Sequence, residues 1–223
     1  MRQRGRIVLI ICILLPVIFL IVLRFGKNKY KELPHFGTPK GITEKGDTLF
    51  HTVPPFSFYD QDRRSFGSED LKGKIYVADF FFTRCPSICP TLLSNLKKVS
   101  DAFPKSGVNE LNFVCFSVDP NHDSVEVLKK YADKNKISDK RWHFLTGNRD
   151  SIYDLMNTKG FLILKPEPNE EPAKFNHSGI ISLVDPDGCI RGQYDGTNDE
   201  EIDRLVGDIQ LLRVKYVKDR ANK

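Results

Sequence analysis

The chain has 223 residues, of which 40% are hydrophobic and 28% charged, and it carries a net charge of +5. These proportions are typical of a globular protein. Basic residues are scattered among acidic ones, so the composition gives no support for nucleic-acid binding. Five cysteines are too few for a disulfide framework in a domain of this size.

The N-terminal part of the chain predicts a membrane anchor. Residues 7–23 are uncharged and almost wholly apolar, which is close to the lower length limit for a membrane-spanning helix. Because no small-residue cleavage site follows them, we expect an uncleaved anchor over residues 1–25 rather than a signal peptide. Basic residues flank both ends, so charge alone does not orient it. The polar residues 26–54, which contain several prolines and glycines, are predicted to form a tether leaving the membrane.

The pattern that follows predicts one α/β domain over residues 55–217, with a short tail at 218–223. In chain order we expect a hairpin at 55–66, a strand at 75–82, a helix at 90–103, a strand at 111–118, a helix at 124–134, a strand at 142–145, a helix at 149–158, a hairpin of 178–184 and 190–194, and a helix at 199–217. This order predicts a mixed sheet with helices on both faces.

Two cysteines separated by three residues, Cys85 and Cys89, lie where the strand at 75–82 gives way to a helix. Pro90 suits the first turn of that helix. Backbone N–H groups and the helix dipole favour an anion there and lower the pKa of a thiol. Thiolates are the nucleophiles of disulfide exchange and soft ligands for copper and zinc. We therefore expect a reactive or metal-binding pair, with a structural disulfide or two buried thiols as the alternative.

A dithiol at the end of a parallel strand, entering the first long helix, is the arrangement of thioredoxin-like proteins. In such folds the loop entering a later strand faces the dithiol and usually carries a cis-proline. Here that loop ends in His177, which makes His177 the candidate third residue of the site. The other histidines are expected to be solvated or hydrogen-bonded in the core; these are His35, His51, His122 and His143.

Three further residues keep two interpretations each. Cys115 lies in the strand at 111–118 and is expected to be a small buried hydrophobe, whereas Cys189 follows a turn. A bridge between these two cysteines is neither required nor excluded by the sequence. Asp119, at the end of the strand at 111–118, either approaches the dithiol or serves as a capping or turn residue.

With these residues the chain resembles the Sco/SenC family of membrane-anchored copper proteins. The matching segments are 79–91, 117–120, 123–124, 127–132, 142–147, 177–178 and 183–188, within a likeness that covers about residues 50–217. The CxxxCP motif together with the distal histidine makes the likeness specific. One departure is Ser87, because family members often carry an acidic residue directly after the first Cys-Pro.

The resemblance implies a thioredoxin-like domain on a single transmembrane helix in the inner membrane, exposed on the extracytoplasmic or periplasmic side. It also implies that Cys85, Cys89 and His177 bind a copper ion, as Cu(I) or Cu(II). The implied role is assembly of the copper centre of cytochrome c oxidase. The implied partners are the copper-bearing oxidase subunit and other copper carriers.

The donor set suits this function, because two thiolates and an imidazole are good ligands for Cu(I), whereas zinc normally takes a fourth protein ligand. The enzyme alternative is an extracytoplasmic thiol–disulfide oxidoreductase that uses Cys85 and Cys89 without metal. A peroxiredoxin-like peroxidase is a third option. His177 separates the first two hypotheses, since a reductase has no need of an imidazole facing its dithiol.

Overall fold

A computed structural model describes residues 32–43, 46–103, 111–157, 160–163 and 179–221. The predicted anchor at 1–25 and His177 lie outside these residues. Among the helices that the structure describes, none combines the length and the hydrophobicity that a membrane span requires.

The predicted strands and helices of the domain are present, with their ends shifted by a few residues. The strands are β1 Gly41–Ile42, β2 Thr48–Leu49, β3 Ser57–Tyr59, β4 Ser65–Gly67, β5 Ile75–Phe81, β6 Leu111–Ser117, β7 Trp142–Leu145, β8 Ile180–Val184 and β9 Ile190–Asp195. The helices are α1 Ile88–Asp101, α2 Val125–Lys134, α3 Arg149–Met156 and α4 Asp199–Ala221. Ser124 caps α2 as expected, since its hydroxyl accepts a hydrogen bond from the N–H of Val127 at 3.4 Å.

A five-stranded sheet in the order β7-β6-β5-β8-β9 forms the centre of the domain. β5, β6 and β7 run parallel, while β8 is antiparallel to both β5 and β9. This arrangement confirms the predicted mixed sheet. Every residue of β5 and β6 is buried, which explains why both strands read as nearly continuous apolar runs.

Aromatic side chains cover both faces of the sheet. Phe80 and Phe81 are neighbours in β5 and therefore point to opposite faces. Phe80 stacks on Phe116 with 5.0 Å between ring centroids and meets Phe161 edge-on at 5.5 Å. On the other face, the ring of Phe81 lies 5.4 Å from that of Tyr131 in α2. α4 packs against β5, β9 and α1. The central strands are thus enclosed, and their ends position the residues described next.

Part of the segment predicted to be a tether packs against the domain. Leu33 is buried in the core. The N–H of Phe36 donates to the carbonyl of Ile190 at 2.9 Å. β1 and β2 pair as a short antiparallel ladder. The compact unit that contains the sheet begins at Leu33 and therefore includes residues that the sequence placed in the tether.

Candidate functional site

Cys85 and Cys89 come together at the end of β5, where the sequence placed them. The chain turns after the strand, and the N–H of Cys85 donates to the carbonyl of Phe82 at 3.2 Å. α1 begins at Ile88, so Cys89 lies in its first turn. The N–H of Cys89 donates to Sγ of Cys85 at 3.5 Å. The two cysteines are not joined by a disulfide, and they are only 7% and 3% exposed, respectively.

The two thiols differ in acidity. Burial tends to raise the pKa of the Cys85 thiol, but hydrogen bonds from the N–H and thiol of Cys89 and from Ser87 hold that pKa below its ordinary value. Burial raises the pKa of the Cys89 thiol far above its ordinary value, and the nearby Cys85 and Asp79 add to this, against a hydrogen bond from the backbone of Phe82. Cys85 is therefore the sulfur that ionises first.

This difference predicts selective alkylation in the reduced, metal-free chain. At pH 7, iodoacetamide is expected to modify Cys85 at least about tenfold faster than Cys89, because the thiolate is the reacting form. Peptide fragmentation by mass spectrometry gives both rates. The matched variant Ser87→Ala, which lacks the hydroxyl 3.8 Å from Sγ of Cys85, should slow alkylation of Cys85. Equal rates for the two thiols would contradict the assignment.

The turn that leads into Cys85 is held by a buried carboxylate, Asp123. Its oxygens accept hydrogen bonds from the N–H of Thr83 at 3.0 Å and from the Thr83 hydroxyl at 2.5 Å. The hydroxyl of Ser117 donates to it at 2.6 Å, and Nδ1 of His122 lies 2.9 Å away. Asp123 thus ties the end of β6 to the dithiol turn. Sequence reasoning missed this role, although polar residues at the carboxyl ends of neighbouring parallel strands were a usable signal.

Asp119 is a turn residue, and its carboxylate contacts Arg84 in the dithiol turn rather than the thiols themselves. Its backbone carbonyl accepts the N–H groups of His122 and Asp123 in the turn after β6. Its carboxylate reaches the dithiol turn through Arg84, whose Nη2 lies 2.7 Å from Oδ2 of Asp119. Asp119 is buried, whereas the Arg84 side chain is 60% exposed. The ion pair therefore places a cation at the mouth of the dithiol turn.

A third carboxyl group, that of Asp79, lies deep in the sheet. Asp79 on β5 is in register with Cys115 on β6, and their side chains are hydrogen-bonded. Asp79 Oδ1 has no hydrogen-bond partner among the described residues. Burial raises the pKa of Asp79 to about 7, with smaller opposing effects from hydrogen bonds. Cys115 is free and buried, which confirms it as a core residue that is not bridged to Cys189.

The raised pKa of Asp79 predicts how stability depends on pH. An unfolded aspartate titrates near pH 4, so folding favours the protonated acid. The contribution of the Asp79 carboxyl to the free energy of unfolding is fully present below about pH 4. It is lost as the pH rises through about 7, by up to roughly 4 kcal/mol. Asp79→Asn should therefore be more stable than the parent at pH 8 and show a flatter pH profile. Denaturant unfolding at pH 5 and 8 measures this, with exposed Asp154→Asn as the control; parallel profiles for parent and Asp79→Asn would refute it.

His177 lies outside the described residues, so the structure does not test it as a third ligand. Among the described residues, no histidine, cysteine or carboxylate lies close enough to both Cys85 and Cys89 to be a third metal ligand. Gly179, two residues after His177, lies beside the dithiol loop. A Cβ atom built on Gly179 would be 3.5 Å from Cδ1 of Ile88, the residue that precedes Cys89.

Comparison with known proteins agrees with this arrangement. Residues 44–211 match the family model described as SCO1/SenC. The chain belongs to the SCO1/SenC family. Over 166 residues it is 32% identical to the SCO1 protein homolog of Bacillus subtilis strain 168, covering 74% of this chain and 84% of the relative.

Two solved Sco structures show the same mixed α/β, thioredoxin-like fold. BsSco is a member of the Sco family of cytochrome c oxidase assembly proteins in which a disulfide switch was identified. It is 28% identical, with a TM-score of 0.63 over 82% of this chain and 98% of its own. Bradyrhizobium japonicum ScoI, solved with copper bound, is 25% identical, with a TM-score of 0.58 over 72% of this chain and 99% of its own.

Proposed function

We propose that this Sco-family chain is a copper-binding metallochaperone that delivers copper, or prepares the receiving cysteines, for assembly of the copper centre of cytochrome c oxidase. The observation that carries the proposal is the hydrogen-bonded thiol pair at the junction of β5 and α1. Its support is the similarity to ScoI with copper bound and to BsSco, whose family assembles cytochrome c oxidase.

In this proposal copper is held by Cys85, Cys89 and His177. Two thiolates and a neutral imidazole are ligands that Cu(I) prefers, and they hold Cu(II) after rearrangement. The position of Gly179 supports His177 as the third ligand, because two residues of chain span at most about 7 Å. Once His177 is displaced, a two-coordinate ion remains, and the ligands of a recipient complete the transfer.

The proposal includes an anchor and a compartment. The apolar residues 7–23 hold the protein in the inner membrane, with the domain on the extracytoplasmic side. The partners are the copper-bearing subunit of the oxidase and other copper carriers.

The difference in acidity between Cys85 and Cys89 favours a second candidate function, a thiol–disulfide oxidoreductase without metal. Cys85, the more acidic thiol, attacks a disulfide of the recipient and forms a mixed disulfide, releasing one recipient thiolate. Cys89 then loses its proton to solvent and attacks the mixed disulfide at Cys85. The recipient leaves with two reduced sulfurs, the Cys85–Cys89 disulfide forms, and two electrons have passed to the recipient.

A transfer experiment tests the chaperone proposal. The full chain is purified in detergent, loaded with one Cu(I) under anaerobic conditions, and mixed with the reduced copper-bearing domain of the oxidase subunit from the same organism. After separation, copper is expected in the recipient. A recipient with its cysteines oxidised is the control and should receive none. Copper that stays with the donor, or appears equally in the oxidised recipient, would contradict delivery.

A further inference from the structure

A second group of metal-ligating side chains lies in the turn between β8 and β9, built from Asp185, Pro186, Asp187, Gly188 and Cys189. Oδ1 of Asp185 accepts the N–H groups of Asp187 at 3.0 Å and of Cys189 at 2.9 Å. Gly188 supplies the positive φ of 81° that closes the turn. The turn therefore holds the carboxylate of Asp185 and the thiol of Cys189 side by side.

The segment before β1 brings a histidine to this turn. Nε of buried Arg191 donates to the carbonyl of Pro34 at 3.0 Å, Nη2 donates to that of Leu33, and the N–H of Phe36 donates to that of Ile190 at 2.9 Å. His35 lies between these fixed points.

The imidazole of His35 is itself oriented. Its ring stacks on that of Phe50 with 3.6 Å between centroids and 7° between planes. Backbone and ring contacts therefore set the direction in which this imidazole faces the turn, and no large rearrangement of the segment is needed to bring it to the other two side chains.

We propose that His35, Asp185 and Cys189 form a binding site for a divalent metal ion of the zinc class. One nitrogen, one carboxylate oxygen and one sulfur of these residues all lie within 4.8 Å of one another, and this is the sole such group in the part of the chain that the structure describes. Bond lengths of 2.0 to 2.3 Å place tetrahedral ligands about 3.5 Å apart, so rotation of the His35 and Cys189 side chains toward the fixed carboxylate of Asp185 closes the site. The fourth position is taken by water, as in the open zinc sites of enzymes rather than the closed structural sites, on the side of the partly exposed His35.

The ligand types select zinc over Cu(I). Imidazole, thiolate and carboxylate are each ligand types that zinc takes, whereas a carboxylate oxygen is a poor ligand for the softer Cu(I). Oδ2 of Asp185 is 2.9 Å from Nη1 of Arg191, and this ion pair holds the carboxylate in place while leaving a lone pair for the metal.

Metal binding displaces one proton. Burial and the carboxylates of Asp185 and Asp187 raise the pKa of the Cys189 thiol to about 11, so the metal-free sulfur is protonated at neutral pH. The metal–sulfur bond replaces the S–H bond and the proton passes to solvent, which makes affinity rise with pH. A bound ion joins residues 33–36 to the β8–β9 turn, and this role is independent of the Cys85–Cys89 pair.

Cobalt(II), which takes zinc sites and reports thiolate ligands by a near-ultraviolet charge-transfer band, tests the site. The full chain is used in detergent with Cys85 and Cys89 both replaced by serine, so that the dithiol contributes no band. One equivalent of Co²⁺ is expected to produce the band, and Zn²⁺ is expected to abolish it. Absence of the band in this background overturns the proposal.

Two single substitutions in the same background assign the ligands. Cys189→Ala should remove the band, and His35→Ala, at a partly exposed position, should weaken Co²⁺ binding at least tenfold. Cys115→Ala is the matched control, because Cys115 is also a buried thiol beside a carboxylate, and it should leave the band unchanged. A band that survives Cys189→Ala, or an unaltered affinity in His35→Ala, also overturns the proposal. Circular dichroism verifies that each variant is folded.

Discussion

Replacing either Cys85 or Cys89 with serine is expected to abolish tight copper binding. Cys85 lies in the loop after β5 and Cys89 in the first turn of α1, and the N–H of Cys89 donates a hydrogen bond to Sγ of Cys85. Losing one soft sulfur from a three-ligand set leaves a two-coordinate remnant in which a hydroxyl, a poor ligand for Cu(I), faces the ion. We expect affinity to fall at least about a hundredfold, or about 2.7 kcal/mol.

Anaerobic competition with a coloured Cu(I) chelator measures this loss in the full chain. Cys115→Ser is the control, because Cys115 is a buried cysteine on β6 that belongs to neither proposed metal site. It should retain the affinity of the parent as long as it remains folded. Unchanged stoichiometry and affinity in both Cys85→Ser and Cys89→Ser would remove the dithiol from the copper site.

His177→Ala is expected to separate the two candidate functions. The variant leaves Cys85, Cys89 and the start of α1 untouched, so selective alkylation of Cys85 and disulfide formation should persist. Copper affinity should fall at least about tenfold, or about 1.4 kcal/mol, because one of three ligands is lost. In cells that lack the native gene, the variant should then support oxidase assembly only when copper is supplied in excess.

Oxidase activity at low and at high copper measures how well His177→Ala supports assembly. His143→Ala is a matched control, since this imidazole lies on the edge strand β7 and stacks on Phe66, away from the residues that hold the dithiol turn. The oxidoreductase alternative predicts a different pattern, with assembly intact in His177→Ala at low copper and lost only in the cysteine variants. That pattern would reject copper delivery through His177.

Local sequence patterns predicted the main elements because each depends on an apolar period within one segment. The strands that became β5 and β6 are buried on both faces, and α2 carries its own cap in Ser124. α1 begins at Ile88, earlier than expected. Its N-cap residue, Ser87, makes no side-chain capping bond, unlike Ser124 at the start of α2. The shift moves Cys89 into the first helical turn.

Features held by long-range contacts were beyond sequence reasoning. The two-residue strands β1 and β2 are too short to show a periodic pattern. Leu33 was assigned to the tether because its burial depends on core residues that are distant in the sequence. Asp123 entered the sequence analysis only as part of the family resemblance, because its partner Thr83 follows another strand and no pattern within one segment pairs the two residues. His35 and Cys189 likewise meet only after the segment before β1 pairs with β9.

Anaerobic Cu(I) titration of the full chain in its reduced state and in its Cys85–Cys89 disulfide state, with free thiols counted in each sample, tests the central claim most directly. The two cysteines are close enough to be joined, and a disulfide sulfur is a poor metal ligand. We predict one tightly bound copper per reduced chain, none in the oxidised chain, and recovery after reduction. Equal copper binding by the oxidised chain, or none by the reduced chain, would contradict the account.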